Sequence, residues 1–164
     1  MQNIGNISSK KRILILVILI VLVVISTSFI LINSAMDFET SHSSSGAITD
    51  AVTSTDDIDE WNRIELIIRK LAHVIEYAVL GVSVTCLLCY IAHFYSLKLY
   101  GFGAFFVLLV AVFDEHIQSF SDRDSSTSDI LLDFWGSIIG FILVFCVIFV
   151  ARFIIKKKRE RLAK

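Results

Sequence analysis

Twenty consecutive residues, Ile13 to Ile32, carry no charge. That is the length an α-helix needs to cross roughly 30 Å of hydrocarbon. No soluble fold of this size easily hides such a segment. More than half of the 164 residues are hydrophobic (55%), whereas a soluble domain stays nearer 45–50%. The surplus requires a bilayer. Lys10, Lys11 and Arg12 precede the run, as they would in a cleaved leader. The run exceeds the roughly 7–15 apolar residues of a leader, however, and no A-x-A site follows, so an uncleaved signal anchor is expected.

Three further spans are predicted, at about Leu66–Ile91, Leu97–Phe120 and Ile130–Ile155, which with residues 13–32 make an all-α, integral membrane four-helix bundle in one domain. The third span must run past Asp114, because only seventeen residues lie from Leu97 to Phe113. Asp56 or Asp57 is placed to cap a helix starting near Ile58. Between the first two spans, the Ser/Thr-rich stretch Thr40–Thr55 predicts a flexible linker within 33–60.

Charge distribution sets the expected topology. Basic residues flank the first span, and Lys156, Lys157, Lys158, Arg159 and Arg161 follow the last, while Asp37, Glu39, Asp50, Asp56, Asp57, Asp59 and Glu60 fall between spans one and two. The positive-inside rule puts both termini in the cytoplasm and the acidic linker outside. Beside membrane spans, such basic clusters fix orientation, and no nucleic-acid partner is expected. Cys86, Cys89 and Cys146 lie within apolar spans and read as small hydrophobes. The C-x-x-C at Cys86–Cys89 has no βαβ surroundings that would make it a redox motif.

This topology brings the polar ends of spans two, three and four to one face. Ionisable residues inside spans are costly and mark functional candidates. Arg69, His73 and Glu76 share a helical stripe, overlapped by Lys70, His73 and Tyr77. Asp114 and Gln118 are one turn apart on span three, with Glu115 beside them, and Asp129 and Asp133 are one turn apart on span four. Gly136 and Gly140 continue the Asp129–Asp133 face at the four-residue spacing that permits close helix packing. Packing on these stripes would bring Glu76, Asp114 and Asp133 near Arg69, Lys70, His73 and Arg123, so that opposite charges offset one another's desolvation. Such a network either holds the bundle together or receives a ligand; its ten or so ionisable groups exceed what packing requires. His73, Glu76, Asp114, Glu115 and His116 are suitable metal-ligand types, but no H-E-x-x-H or histidine pair on one helix face occurs, and neither a metal nor a cofactor is expected.

Two segments, RKLAHVIEYAVLG (69–81) and FDEHIQSFSDRDSSTSDILLDFWGSIIG (113–140), together resemble the VanZ-like family. Its ordered pattern of a basic residue, His, Glu-Tyr, Asp-Glu, Gln, Arg, Asp and Gly-x-x-x-Gly falls here on Lys70, His73, Glu76, Tyr77, Asp114, Glu115, Gln118, Arg123, Asp129, Asp133, Gly136 and Gly140. The likeness spans roughly Asn62 to Gly140, about half the chain, and Ser121–Ser128 departs from it in having little glycine around Arg123. The resemblance implies a bacterial plasma-membrane protein associated with low-level resistance to teicoplanin and related lipoglycopeptides. The expectation is therefore a non-enzymatic factor whose polar cluster binds a lipid, a lipoglycopeptide or a lipid-linked cell-wall precursor. The alternatives are an enzyme acting on such a precursor, with Glu76, Asp114 or Glu115 in acid–base roles, and a structural partner of another membrane protein.

Overall fold

The computed structural model describes residues 8–36, 38–120 and 126–162. The first apolar run forms the body of α1 (Ser9–Ser34), followed by α2 (Phe38–Val52), α3 (Ile58–Tyr95), α4 (Tyr100–Gln118) and α5 (Thr127–Leu162). No strand occurs among the described residues. Asp57 starts α3, its carboxylate accepting a 2.9 Å bond from the Asp59 backbone N–H. Ser96, with φ 57°, takes the left-handed conformation just past the end of α3. At 1.5 Å per residue, 38-residue α3 extends about 57 Å, well beyond the hydrocarbon thickness.

Four helices, α1, α3, α4 and α5, are long and apolar enough to span a membrane. Their side chains are distributed accordingly. Phe105, Val147 and Phe149 are 63%, 68% and 71% exposed, whereas Asp114, Glu115, Gln118, Asp133, Ser34 and Ser137 are buried. Lipid is as apolar as a leucine side chain, so greasy surfaces gain little by meeting each other; small residues and internal polar bonds hold spans together instead. The apolar core is correspondingly small and includes Ile30, Tyr77, Leu80, Val84, Val107, Val110 and Ala111.

The most extensive helix contact joins α3 to α5. The two run parallel: Lys70 meets Asp129, Val74 faces Gly136, and Ala78 faces Gly140. A Cβ on Gly136 would lie 2.7 Å from the Val74 carbonyl oxygen; one on Gly140 would strike the Ala78 carbonyl and stand 2.8 Å from the Val82 nitrogen. Gly81 makes the reciprocal approach to the Ser137 backbone. Two backbones therefore touch without side chains between them. α1 lies antiparallel along α3, with the Arg12 guanidinium 5.1 Å from the centre of the Phe94 ring, Ser26 3.3 Å from Ser83, and Asn33 beside Glu76. Connections α1–α2–α3 and α4–α5 consequently lie at the same end of the bundle.

The linker reading for 33–60 needs correction, since residues 38–52 form helix α2. Tertiary contacts with α3 outweigh its weak intrinsic propensity. Ser45 donates to the Glu65 carboxylate, His42 Nδ1 lies 3.2 Å from the same group, and Trp61 donates to Asp50 at 2.8 Å while its ring packs on Gly46. Thr49 is fully buried.

Gly140→Ala is expected to lower thermal stability in detergent by about 1–3 kcal/mol, the usual cost of overpacking. At Gly101 an added Cβ meets nothing within 4 Å. Gly101→Ala should therefore be neutral or stabilising, by up to about 1 kcal/mol from helix propensity. Equal melting temperatures for the two variants would contradict the close α3–α5 approach.

Candidate functional site

Asp114 occupies the middle of a polar cluster at the connected end of the bundle. It is fully buried on the last turns of α4. Its Oδ1 accepts a hydrogen bond from the Ser34 hydroxyl at the end of α1, and its Oδ2 accepts one from the Tyr77 hydroxyl of α3 at 3.0 Å. His73, one turn before Tyr77, places Nδ1 3.7 Å from Asp114 Oδ2 and 3.9 Å from Asp133 Oδ1 of α5. Asp133 is 2% exposed, and this oxygen accepts no hydrogen bond. One ligand atom from each of His73, Asp114 and Asp133 falls within 4.8 Å of the others. No linear motif announces this grouping, because the three residues come from three helices.

The remaining residues surround this centre. Gln118 Nε2 reaches the Ser34 hydroxyl at 3.5 Å. Glu76 accepts from Asn33 Nδ2 at 3.0 Å, and its second oxygen is buried without a hydrogen bond. Glu115 accepts from the Ser126 backbone N–H, and its other oxygen is likewise buried without one. Lys70 and Asp129 form a 2.7 Å ion pair at the edge, with 43% and 28% of their side chains exposed. Arg69 is half-buried on the same stretch of α3. Arg123 lies outside the described residues. Gly136 and Gly140 sit in the α3–α5 contact directly below Asp133.

Charge matching differs from the simple pairing of bases with buried acids. Lys70 engages Asp129 at the edge, and Glu76 is met by the uncharged amide of Asn33. His116 points away: it is exposed and packs edge-on against Phe120 at 5.0 Å.

Sequence reasoning missed the contribution of α1. Asn33 and Ser34 end an otherwise apolar run and read as the start of a loop, yet both face the cluster. Their polarity at the tip of a span was the available signal. Glu65 was also missed; it is buried at 6% and fixes α2 through Ser45 and His42.

The fold and site define a multi-pass helical membrane protein with a buried acidic cluster at one end. A sequence profile of the VanZ/LLP1 family matches residues 14–150, and the chain belongs to that family. The match takes in α1 as well as the polar blocks, and it is consistent with a membrane protein linked to glycopeptide resistance. No curated protein and no solved structure matches the chain significantly.

Tyr77→Phe removes the donor to Asp114 while preserving ring volume. Leaving a buried acceptor without its donor costs about 1–3 kcal/mol, so a loss of that size is expected in detergent unfolding. Wild-type stability in this variant would show that the Tyr77–Asp114 bond contributes nothing.

Proposed function

We propose that this protein contributes to teicoplanin-type glycopeptide and lipoglycopeptide resistance in the bacterial plasma membrane, without catalysis, by binding a lipidated ligand at its polar end. The observation that carries the reading is the juxtaposition of buried carboxylates with partly exposed His73 and Lys70 at one end of a lipid-facing bundle. A ligand with a lipid tail would lie along the apolar flank. Its headgroup would meet Lys70 and Arg69 through phosphate or carboxylate, and Glu76 through amine or hydroxyl, with Asp114 holding the wall of the site from within.

The ligand classes favoured are the lipoglycopeptide itself and a lipid-linked cell-wall precursor. Either requires the polar end to face outward, with both termini in the cytoplasm. Basic clusters at Lys10–Arg12 and Lys156–Arg161 support that orientation.

Expression in a teicoplanin-susceptible Gram-positive host should raise drug tolerance severalfold. Glu76→Gln and Asp114→Asn should return tolerance to the vector level at equal protein abundance. Unchanged tolerance in both variants would eliminate the binding site. A second reading, an enzyme acting on a lipid-linked precursor, draws on the buried oxygens of Glu76, Asp133 and Glu115 that accept no hydrogen bond, since carboxyl groups held away from water suit acid–base work. Lipid and muropeptide profiles of the same cells separate the two. Binding leaves them unchanged, whereas one new modified species would transfer the function to catalysis.

Orientation has its own test in a chain lacking Cys86, Cys89 and Cys146. Ala47→Cys on α2 should react with an impermeant maleimide in intact cells, and Lys158→Cys only after permeabilisation. The opposite pattern would turn the polar end inward and exclude an extracellular ligand.

A further inference from the structure

We propose that His73, Asp114 and Asp133 form a binding site for one divalent transition-metal ion of the Zn²⁺ or Mn²⁺ type. An imidazole nitrogen and two carboxylate oxygens converge from α3, α4 and α5, each within 4.8 Å of the others. One imidazole with two carboxylates matches the donor preferences of these ions; an all-oxygen set would instead suit Mg²⁺ or Ca²⁺.

Geometry and hydrogen bonding support the assignment separately. Zinc bound tetrahedrally at roughly 2.0–2.1 Å holds its ligand atoms about 3.4 Å apart. His73 Nδ1 stands 3.7 and 3.9 Å from its two carboxylate oxygens, a few tenths of an ångström beyond that spacing, and the two carboxylates lie within 4.8 Å of each other, so the three side chains would draw together on binding. Asp114 is oriented by Ser34 and Tyr77, as metal-binding carboxylates are oriented by hydrogen bonds of their own. One oxygen of Asp133 lacks such a bond. Its Oδ1 is buried, accepts no hydrogen bond and faces His73. A buried carboxylate oxygen in that condition is costly unless a cation or a proton meets it, and Lys70 is engaged with Asp129.

Three protein ligands leave at least one coordination position open. His73, with 25% of its side chain exposed, marks the side from which the ion and a further oxygen ligand would enter. The cation site stands or falls independently of drug resistance.

The test uses the full chain in detergent micelles, purified on a tag free of histidine, stripped with chelator and dialysed against ZnCl₂ or MnCl₂. Mass-spectrometric metal analysis should find about one ion per chain, and the ion should raise the melting temperature. Asp133→Asn and His73→Gln should bind at least tenfold more weakly. X-ray absorption on the wild-type zinc form should show only nitrogen and oxygen neighbours, at roughly 2.0–2.1 Å. Failure of the wild-type protein to retain an ion would overturn the site and leave a proton as the neutralising species. Undiminished binding in Asp133→Asn would overturn it too, as would sulfur neighbours at about 2.3 Å, which would place the ion at Cys86 and Cys89. Because the wild-type measurements decide on their own, a variant that fails to fold does not rescue the idea.

Discussion

One buried carboxylate, that of Asp114, ties the four spanning helices together. It takes hydrogen bonds from Ser34 of α1 and Tyr77 of α3, and lies near His73, which in turn faces Asp133 of α5. In a bilayer no hydrophobic force gathers helices, so such internal polar links must supply specificity. An acid placed fully inside the bundle also enforces it. Any arrangement that parts these helices strands the carboxylate among apolar groups or lipid, at a cost of several kcal/mol. The cluster is therefore a structural lock whatever else it binds.

The lock depends on how closely α3 and α5 approach. Gly81, Gly136 and Gly140 let backbone meet backbone over two turns. That contact sets the register in which His73 comes opposite Asp133 and Lys70 opposite Asp129. A slide of one residue would rotate the apposed side chains by about 100° and break both relationships. Small residues thus determine where charged ones meet, although they carry no chemistry themselves.

Much of this was legible in the sequence, for reasons tied to particular residues. Four apolar runs and helical periodicity locate the spans, because both signals reflect the solvent directly. The stripes through His73, Glu76 and Tyr77, and through Asp114 and Gln118, follow from 3.6-residue geometry, which is local. Helix α2 was not legible. Ser43, Ser44, Ser45 and Gly46 favour helix poorly, and the helix exists because Glu65 and Trp61 on another element hold it. Nor was the proximity of His73, Asp114 and Asp133. Each lies on its own helix, and their separation depends on interhelical distance rather than on spacing along the chain.

The position of Asn33 and Ser34 alters the meaning of the N-terminal segment. A hydrophobic stretch preceded by lysines is easily treated as a disposable address label, to be exchanged for a stronger secretion sequence when such a protein is produced in another host. Here that exchange would remove the Asp114-binding hydroxyl and the amide that covers Glu76. The product would still insert its other three spans, yet Asp114 and Glu76 would each lack the partner that α1 supplies. An inactive preparation obtained that way would report on those two missing partners and leave the chemistry of the remaining residues unjudged.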